Sequence, residues 1–348
     1  MIIIDFIISK FKKKINSSSI KKILIIRNDH IGDLCLTLPL AAMIKQIDNK
    51  ITVEFLISEY SYGVAEGNKY IDKIHIQKKD ESSEDIIKRL SVYDAVINAC
   101  STRFNAELCG KINAGVKIAF AYKFYNLKNF THFILKKRNN PPLHETDFCF
   151  EFVKRIFGDI EKYKSESLNN TKIMINNETN TFVDDYIKKL KLYPQKKIIG
   201  IHPGDNKSAY NLTLQKYIEI GKLLQKDYNV IFIFGPSEKN FVNNFSDSDK
   251  SIFYFILGDL TVKQLASFIS KIDCLVSGST GPMHIAGLMN IPTVSIFSNK
   301  PSHHWKKWHP INNNFSIVTP ETQYLSLKKN SMDDINLKNC VEKVKMII

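Results

Sequence analysis

Arginine is scarce in this chain. Of 348 residues 49 are basic, yet only Arg27, Arg89, Arg103, Arg138 and Arg155 are arginine, and the other 44 are lysine. Base-edge readout and bidentate phosphate clamping favour the arginine fork, so a lysine-dominated surplus argues against sequence-specific nucleic-acid reading. Cysteine is also sparse: six residues, with no C-x-x-C pair and no dense framework. Reduced thiols in a cytosolic protein are the simplest expectation. No run reaches the ~18 apolar residues of a spanning helix. The opening MIIIDFIISKFKKK is no secretory signal either. Its short apolar run is interrupted by Asp5, its lysines follow the run, and no small-residue cleavage site comes after. The sequence therefore reads as neither secreted nor transmembrane. Three nucleotide and hydrolase signatures are missing as well. There is no G-x-G-x-x-G after the first strand, no G-x-x-x-x-G-K-[ST] and no G-x-S-x-G elbow, which excludes the usual dehydrogenase, P-loop and α/β-hydrolase readings.

What is present describes a soluble, packed α/β protein. Hydrophobic residues make up 44% and charged residues 24%, and the length suits two domains. The net charge of +14 predicts an anionic partner, either a membrane surface or a phosphorylated substrate. In residues 1–20, Ile2, Ile3, Phe6, Ile7 and Phe11 fall at helical spacing ahead of Lys12, Lys13 and Lys14. Such a helix suits a membrane interface and suits equally the protein's own surface.

Short β-rich runs then alternate with helical stretches. Strands are expected at Lys22–Ile26, Val53–Ile57, Lys73–Ile76, Ala95–Asn98 and Val116–Ala121, and one helix from about Leu34 to Gln46. A charged, Asn-rich stretch from Gly158 to about Lys197 reads as the domain junction, with a helix at Thr181–Leu192 that suits either side. Strands restart at Lys197–His202, Val230–Phe234, Cys274–Ser277 and Thr293–Phe297. This pattern predicts two Rossmann-like domains, each a parallel doubly wound sheet, with ligands bound between strand carboxyl ends. The domains are expected at 21–175 and 176–330, after the leader 1–20. A terminal helix within 331–348 is expected to pack back on the first of them.

Three loops follow strands and open helices. The first runs from Arg27 to Asp33. Gly32 permits a tight turn, and Asp33 is either a helix-start carboxylate or a general base; Asp29 carries the same two readings. The second is Ile201 to Ser208, where Lys207 could supply a point charge to a phosphate and Gly204-Asp205-Asn206 could be plain turn chemistry. The third, Ser277 to His284, brings hydroxyls, amides and a helix start together. It suits a pyrophosphate, with Pro282 in the first turn and His284 beside it. Asp247-Ser248-Asp249 spells D-x-D but reads as solvated loop. His303, His304 and His309, interleaved with Trp305 and Trp308, lack zinc spacing and could stack on a nucleobase, cover a sugar or pack at a domain interface.

Taken in order, ILIIRNDHIGDLCLTLPL, IGIHPG, VIFIFGPSE and VSGSTGPMHIAGLMNIPTVSIF resemble glycosyltransferase family 9, the ADP-heptose:lipopolysaccharide heptosyltransferases. The resemblance spans residues 22–308. It implies a GT-B architecture, with two Rossmann-like domains facing each other across a cleft. It also implies inverting transfer of heptose from ADP-heptose to a lipopolysaccharide or lipooligosaccharide core acceptor, with no cofactor and no bound metal. Asp33 falls at the proposed base. Gly32, Lys207, Ser279, Thr280, Gly281 and His284 fall at the donor diphosphate and sugar, and Glu238 falls at the nucleoside. The partners implied are a nucleotide-sugar donor, a lipid-linked saccharide acceptor and the anionic inner face of the cytoplasmic membrane, with no nucleic acid. Two positions depart from the family pattern. Its third motif usually reads Asp-Thr-Gly where this chain has Ser279-Thr280-Gly281, and Tyr210-Asn211 stands where a phosphate-contacting lysine is usual. The alternatives are a transferase using another nucleotide sugar and an inactive nucleotide-sugar-binding subunit.

Overall fold

The computed structural model describes residues 13–123, 125–136, 143–204, 210–321 and 331–348, together with Ser9 and Phe11. It divides into two compact units, Met1–Lys172 and Ile173–Ile348.

The first unit is built on six parallel strands: β1 (Lys22–Ile26), β2 (Thr52–Ser58), β3 (Lys73–Gln77), β4 (Tyr93–Asn98), β5 (Ala114–Phe120) and β6 (His132–Ile134). Their order across the sheet is β3-β2-β1-β4-β5-β6. The second unit repeats the plan with β7 (Ile198–His202), β8 (Asn229–Phe234), β9 (Tyr254–Leu257), β10 (Cys274–Gly278), β11 (Thr293–Ile296) and β12 (Phe315–Val318), ordered β12-β11-β10-β7-β8-β9. Each is the Rossmann order. The direction of winding reverses between β1 and β4 and between β7 and β10, which opens a crevice at the strands' carboxyl ends. The central strands are covered on both faces, which is why KILII, NVIFIF and CLVSG read as continuous apolar runs rather than alternating ones.

Helix α1 (Ile31–Thr37) follows β1, and α2 (Pro39–Ile47) follows α1 directly. The expected single helix at Leu34–Gln46 is thus two. Pro39 has no amide hydrogen to continue the ladder, and it sits at the first position of α2, where none is needed. Three edge strands escaped the sequence pattern: β6, β9 and β12 hold three or four residues each and pair on one side only. Asp247-Ser248-Asp249 is not loop. It opens the helix Asp247–Ile252, and Asp249 closes a capping box with Ser246 while accepting from Lys222 at 2.8 Å.

The junction region is ordered on both sides. Glu161–Asn170 is a helix of the first unit, where the Ser167 hydroxyl meets Gln46 at 3.3 Å. The helix Asn177–Lys189 belongs to the second, where the Ser267 hydroxyl donates to Asn180 Oδ1 at 2.8 Å. The terminal helix also corrects the expectation. Leu337–Ile347 buries Cys340 and Val344, one turn apart, in the core of its own unit with Leu224, Val276 and Ile296. That apolar stripe is used up there. In the leader, Phe11 packs against Phe133, and Arg155 donates to the carbonyls of Phe11 and Lys13. Ile2, Ile3, Phe6 and Ile7 lie outside the described residues. Among the described residues no helix is long and apolar enough to cross a membrane.

Candidate active site

In the first unit the crevice between β1 and β4 is organised by Arg27, the residue that ends β1's apolar run. It is buried at 2% exposure. Its Nη1 donates to the Ala99 carbonyl after β4 at 2.6 Å, and its Nε pairs with Asp29 Oδ1 at 3.0 Å. Its Nη2 binds Asp33 Oδ1 and lies 3.7 Å from Glu145 Oε1. Three carboxylates therefore share one guanidinium. Burial alone would lower the Arg27 pKa, but Asp29, Asp33 and Glu145 outweigh it and hold the charge firmly in place. Asp29 moves the other way from an ordinary salt-bridged aspartate. Burial raises its pKa, Arg27 opposes, and the neighbouring Asp33 charge adds to the rise.

Asp33 is the third residue of α1, within reach of the helix's positive end, but it is not a cap. His30 is the N-cap residue, and no side chain caps that end. Gly32, the second residue of α1, is buried beneath the turn. Beside the cluster, Asn28 and Asn105 exchange amide hydrogen bonds of 2.9 and 2.7 Å. Sequence reasoning singled out Asp33 and Asp29 but missed Arg27 and Glu145. An arginine closing a buried strand, in a chain with only five, was a usable signal. Glu145, the first residue of the helix Glu145–Phe157, meets Arg27 from 118 positions away and offered none.

In the second unit, neighbouring strand ends carry the other motif loops. After β8, Glu238 is buried, and its Oε2 accepts from the Gly235 amide at 2.9 Å, with His202 Nε2 at 3.8 Å. A Cβ at Gly204 would overlap this carboxylate, so the glycine after β7 makes room for it. Glu238, Pro203, Gly204, Leu212, Thr213, Ile218, Phe241 and their neighbours line a cavity of about 820 Å³, within the range of small-molecule sites. Asn211 braces the region. Its Nδ2 donates to the Pro203 carbonyl at 3.1 Å, its Oδ1 accepts from the Tyr217 hydroxyl at 2.6 Å, and a Cβ on Gly278 would strike it.

After β10 the helix Gly281–Leu288 begins at Thr280. Thr102, Thr213 and Thr261 each cap a helix by accepting a first-turn amide. Thr280 occupies the same position and does not. Its Oγ1 is buried with no partner among the described residues, in a residue only 8% exposed. A hydroxyl buried in that state costs roughly 1–3 kcal/mol, and an anion at the helix start would give it a partner. His284 is buried in the same turn, and Ser279 and Gly281 flank Thr280 half-buried. Lys207 lies outside the described residues. Gly32 and Asp33 thus belong to one unit, and Glu238, Ser279, Thr280, Gly281 and His284 to the other. Among the described residues no group of three His, Cys, Asp or Glu side chains is arranged to hold a metal ion.

Two parallel six-stranded sheets, each in the Rossmann order, give the chain an α/β fold of the GT-B class. The chain belongs to glycosyltransferase family 9 (heptosyltransferase), whose model matches residues 86–336. It is 28% identical over 313 residues to a Haemophilus influenzae protein named no further than glycosyltransferase, covering 84% of this chain and 86% of that one. It is 24% identical to the lipopolysaccharide core heptosyltransferase OpsX of the same organism, covering 86% and 84%. Among solved structures, a family 9 glycosyl transferase from Veillonella parvula matches with a TM-score of 0.76 at 15% identity, over 94% of this chain and 97% of that one. E. coli heptosyltransferase WaaC, solved with ADP, matches with a TM-score of 0.70 at 13% identity, over 94% and 100%.

Proposed function

We propose that this glycosyltransferase moves a heptose from ADP-heptose onto a lipopolysaccharide or lipooligosaccharide core acceptor, with inversion and without a metal ion. The observation that carries the reading is the track across β8, β7 and β10. A buried carboxylate lines a nucleoside-sized cavity, and two strand spacings away, about 10 Å, a hydroxyl without a partner among the described residues sits at an uncapped helix start. That spacing matches a nucleoside diphosphate laid along the strand ends, its ribose hydroxyls on Glu238 and its diphosphate on Thr280 and Gly281. OpsX's name and the ADP held by WaaC support the choice of donor and acceptor.

In this reading Asp33 takes the proton of the acceptor hydroxyl as that oxygen attacks the anomeric carbon. The bond from that carbon to the diphosphate oxygen breaks on the opposite face, so the anomeric configuration inverts. The charge arriving on ADP is met by the Thr280 hydroxyl, the Gly281 amide and the helix end, with His284 alongside. Arg27 holds Asp33 oriented, through the guanidinium nitrogen that also faces Glu145. Gly32 and Ser279 present small surfaces toward the transferred sugar, and the family resemblance assigns Lys207 to the donor phosphates. The surplus of lysine suits work at the anionic inner face of the cytoplasmic membrane, on an acceptor that is itself phosphorylated.

A donor panel with purified protein and a heptose-deficient core acceptor tests this. ADP-heptose should turn over, with a chelator present and with the product anomer opposite to the donor's. Turnover of another nucleotide sugar with ADP-heptose inert would overturn the assignment. In the same assay Glu238→Gln should raise the donor KM about 10- to 100-fold, the value of a hydrogen bond to a charged acceptor. Its kcat should change little and its stability stay within about 1 kcal/mol of wild type.

A further inference from the structure

We infer that Lys300 is a donor-positioning residue, held by Tyr210 so that its ammonium meets the diphosphate at the Thr280 loop. The inference rests on the donor site proposed above.

It starts from topology. Tyr210 belongs to the connection leaving β7, next to Asn211, whose side chain lies against Gly278 at the end of β10. Lys300 belongs to the connection leaving β11, whose Ile296 is in register with Gly278. Because β10 lies between β7 and β11, these two connections flank its loop from opposite sides. They nevertheless touch. Lys300 Nζ donates to the Tyr210 hydroxyl at 3.2 Å and stands 4.6 Å from the centre of its ring, while the His303 ring packs edge-to-face with the same tyrosine at 5.5 Å. The pair joins the connections on either side of β10, the strand after which the Thr280 hydroxyl is buried without a partner among the described residues.

Charge points the same way. A helix start offers about half a positive charge, whereas a diphosphate brings more than one negative charge. In the described stretches 203–204, 210–213, 235–238, 277–284 and 297–300, Lys300 is the one lysine or arginine. Among the described residues no carboxylate pairs with it. An ammonium has three donors, and the tyrosine hydroxyl takes one, leaving two for phosphate oxygens. Contact with the ring restrains the side chain, so less side-chain entropy is lost when the ligand arrives.

The test is calorimetric titration of ADP and of adenosine into wild type, Lys300→Ala, Lys300→Arg and Tyr210→Phe, beside donor kinetics. Lys300→Ala should weaken ADP about 10- to 100-fold and leave adenosine within threefold. Donor KM should rise in parallel with little change in kcat, and Lys300→Arg should restore most of the affinity. Tyr210→Phe should lose a smaller part, since the ring remains. Unchanged ADP affinity in Lys300→Ala, or equal loss of ADP and adenosine, would overturn the inference. If wild type binds UDP and not ADP, the donor reading fails by itself, and the same comparison of UDP with uridine decides the role of Lys300.

Discussion

Asp33→Asn should lower kcat by about 10²- to 10⁴-fold, the usual worth of a positioned general base, while ADP binds as it does to wild type. The substitution keeps the shape of the side chain and an oxygen for Arg27 Nη2. It also separates two roles by size. A carboxylate in the first turn of α1 that served only the helix dipole would be worth about 0.3–1 kcal/mol of stability and nothing in turnover. A stability change of that order with kcat within a few-fold of wild type would leave Asp33 a structural residue. Single-turnover kinetics on one preparation, with thermal melts alongside, give both numbers.

Removal of Arg27 should be the most damaging change to the fold of the first unit. In Arg27→Met the apolar stem is kept, but Asp29, Asp33 and Glu145 lose the guanidinium that joins them. Breaking a buried charge network this way costs about 3–5 kcal/mol, to be read from denaturant midpoints against wild type. The sign of its pH dependence follows from the same geometry. Without Arg27 the lowering it exerts on Asp29 is gone, and Asp29 rises further above its unfolded value, as burial already drives it. Groups raised in the folded state are tolerated below their unfolded pKa, and the stability they contribute is lost as pH rises through the folded value. The deficit relative to wild type should therefore be largest near pH 7–8 and shrink toward pH 4. A deficit independent of pH would mean that Arg27 acts through packing alone.

The sequence made the centre of each sheet legible and its periphery much less so. KILII, VIFIF and CLVSG lie between two other strands and under helices on both faces, so burial writes itself into an unbroken apolar run. HFI, YFIL and FSIV become strands only because β5, β8 and β11 offer them a free edge, a condition set elsewhere in the chain. Two local signals were there and went unread: Pro39 inside the expected helix, and the S-x-x-D of Ser246 to Asp249 that forms a capping box. The motif loops could be found because each sits directly after a central strand. Their partners could not. Glu145 reaches Arg27, Asn211 reaches Gly278 and Lys300 reaches Tyr210 across long separations, and nothing near any of these residues encodes the meeting.

The donor track is the centre of this account, and a crystal structure of the protein with ADP tests it most directly. The prediction is a diphosphate within hydrogen-bond distance of the Thr280 hydroxyl and the Gly281 amide, with both ribose hydroxyls on the Glu238 carboxylate. ADP bound away from the carboxyl ends of β7, β8 and β10, or bound there with the Thr280 hydroxyl still lacking a partner, would contradict it.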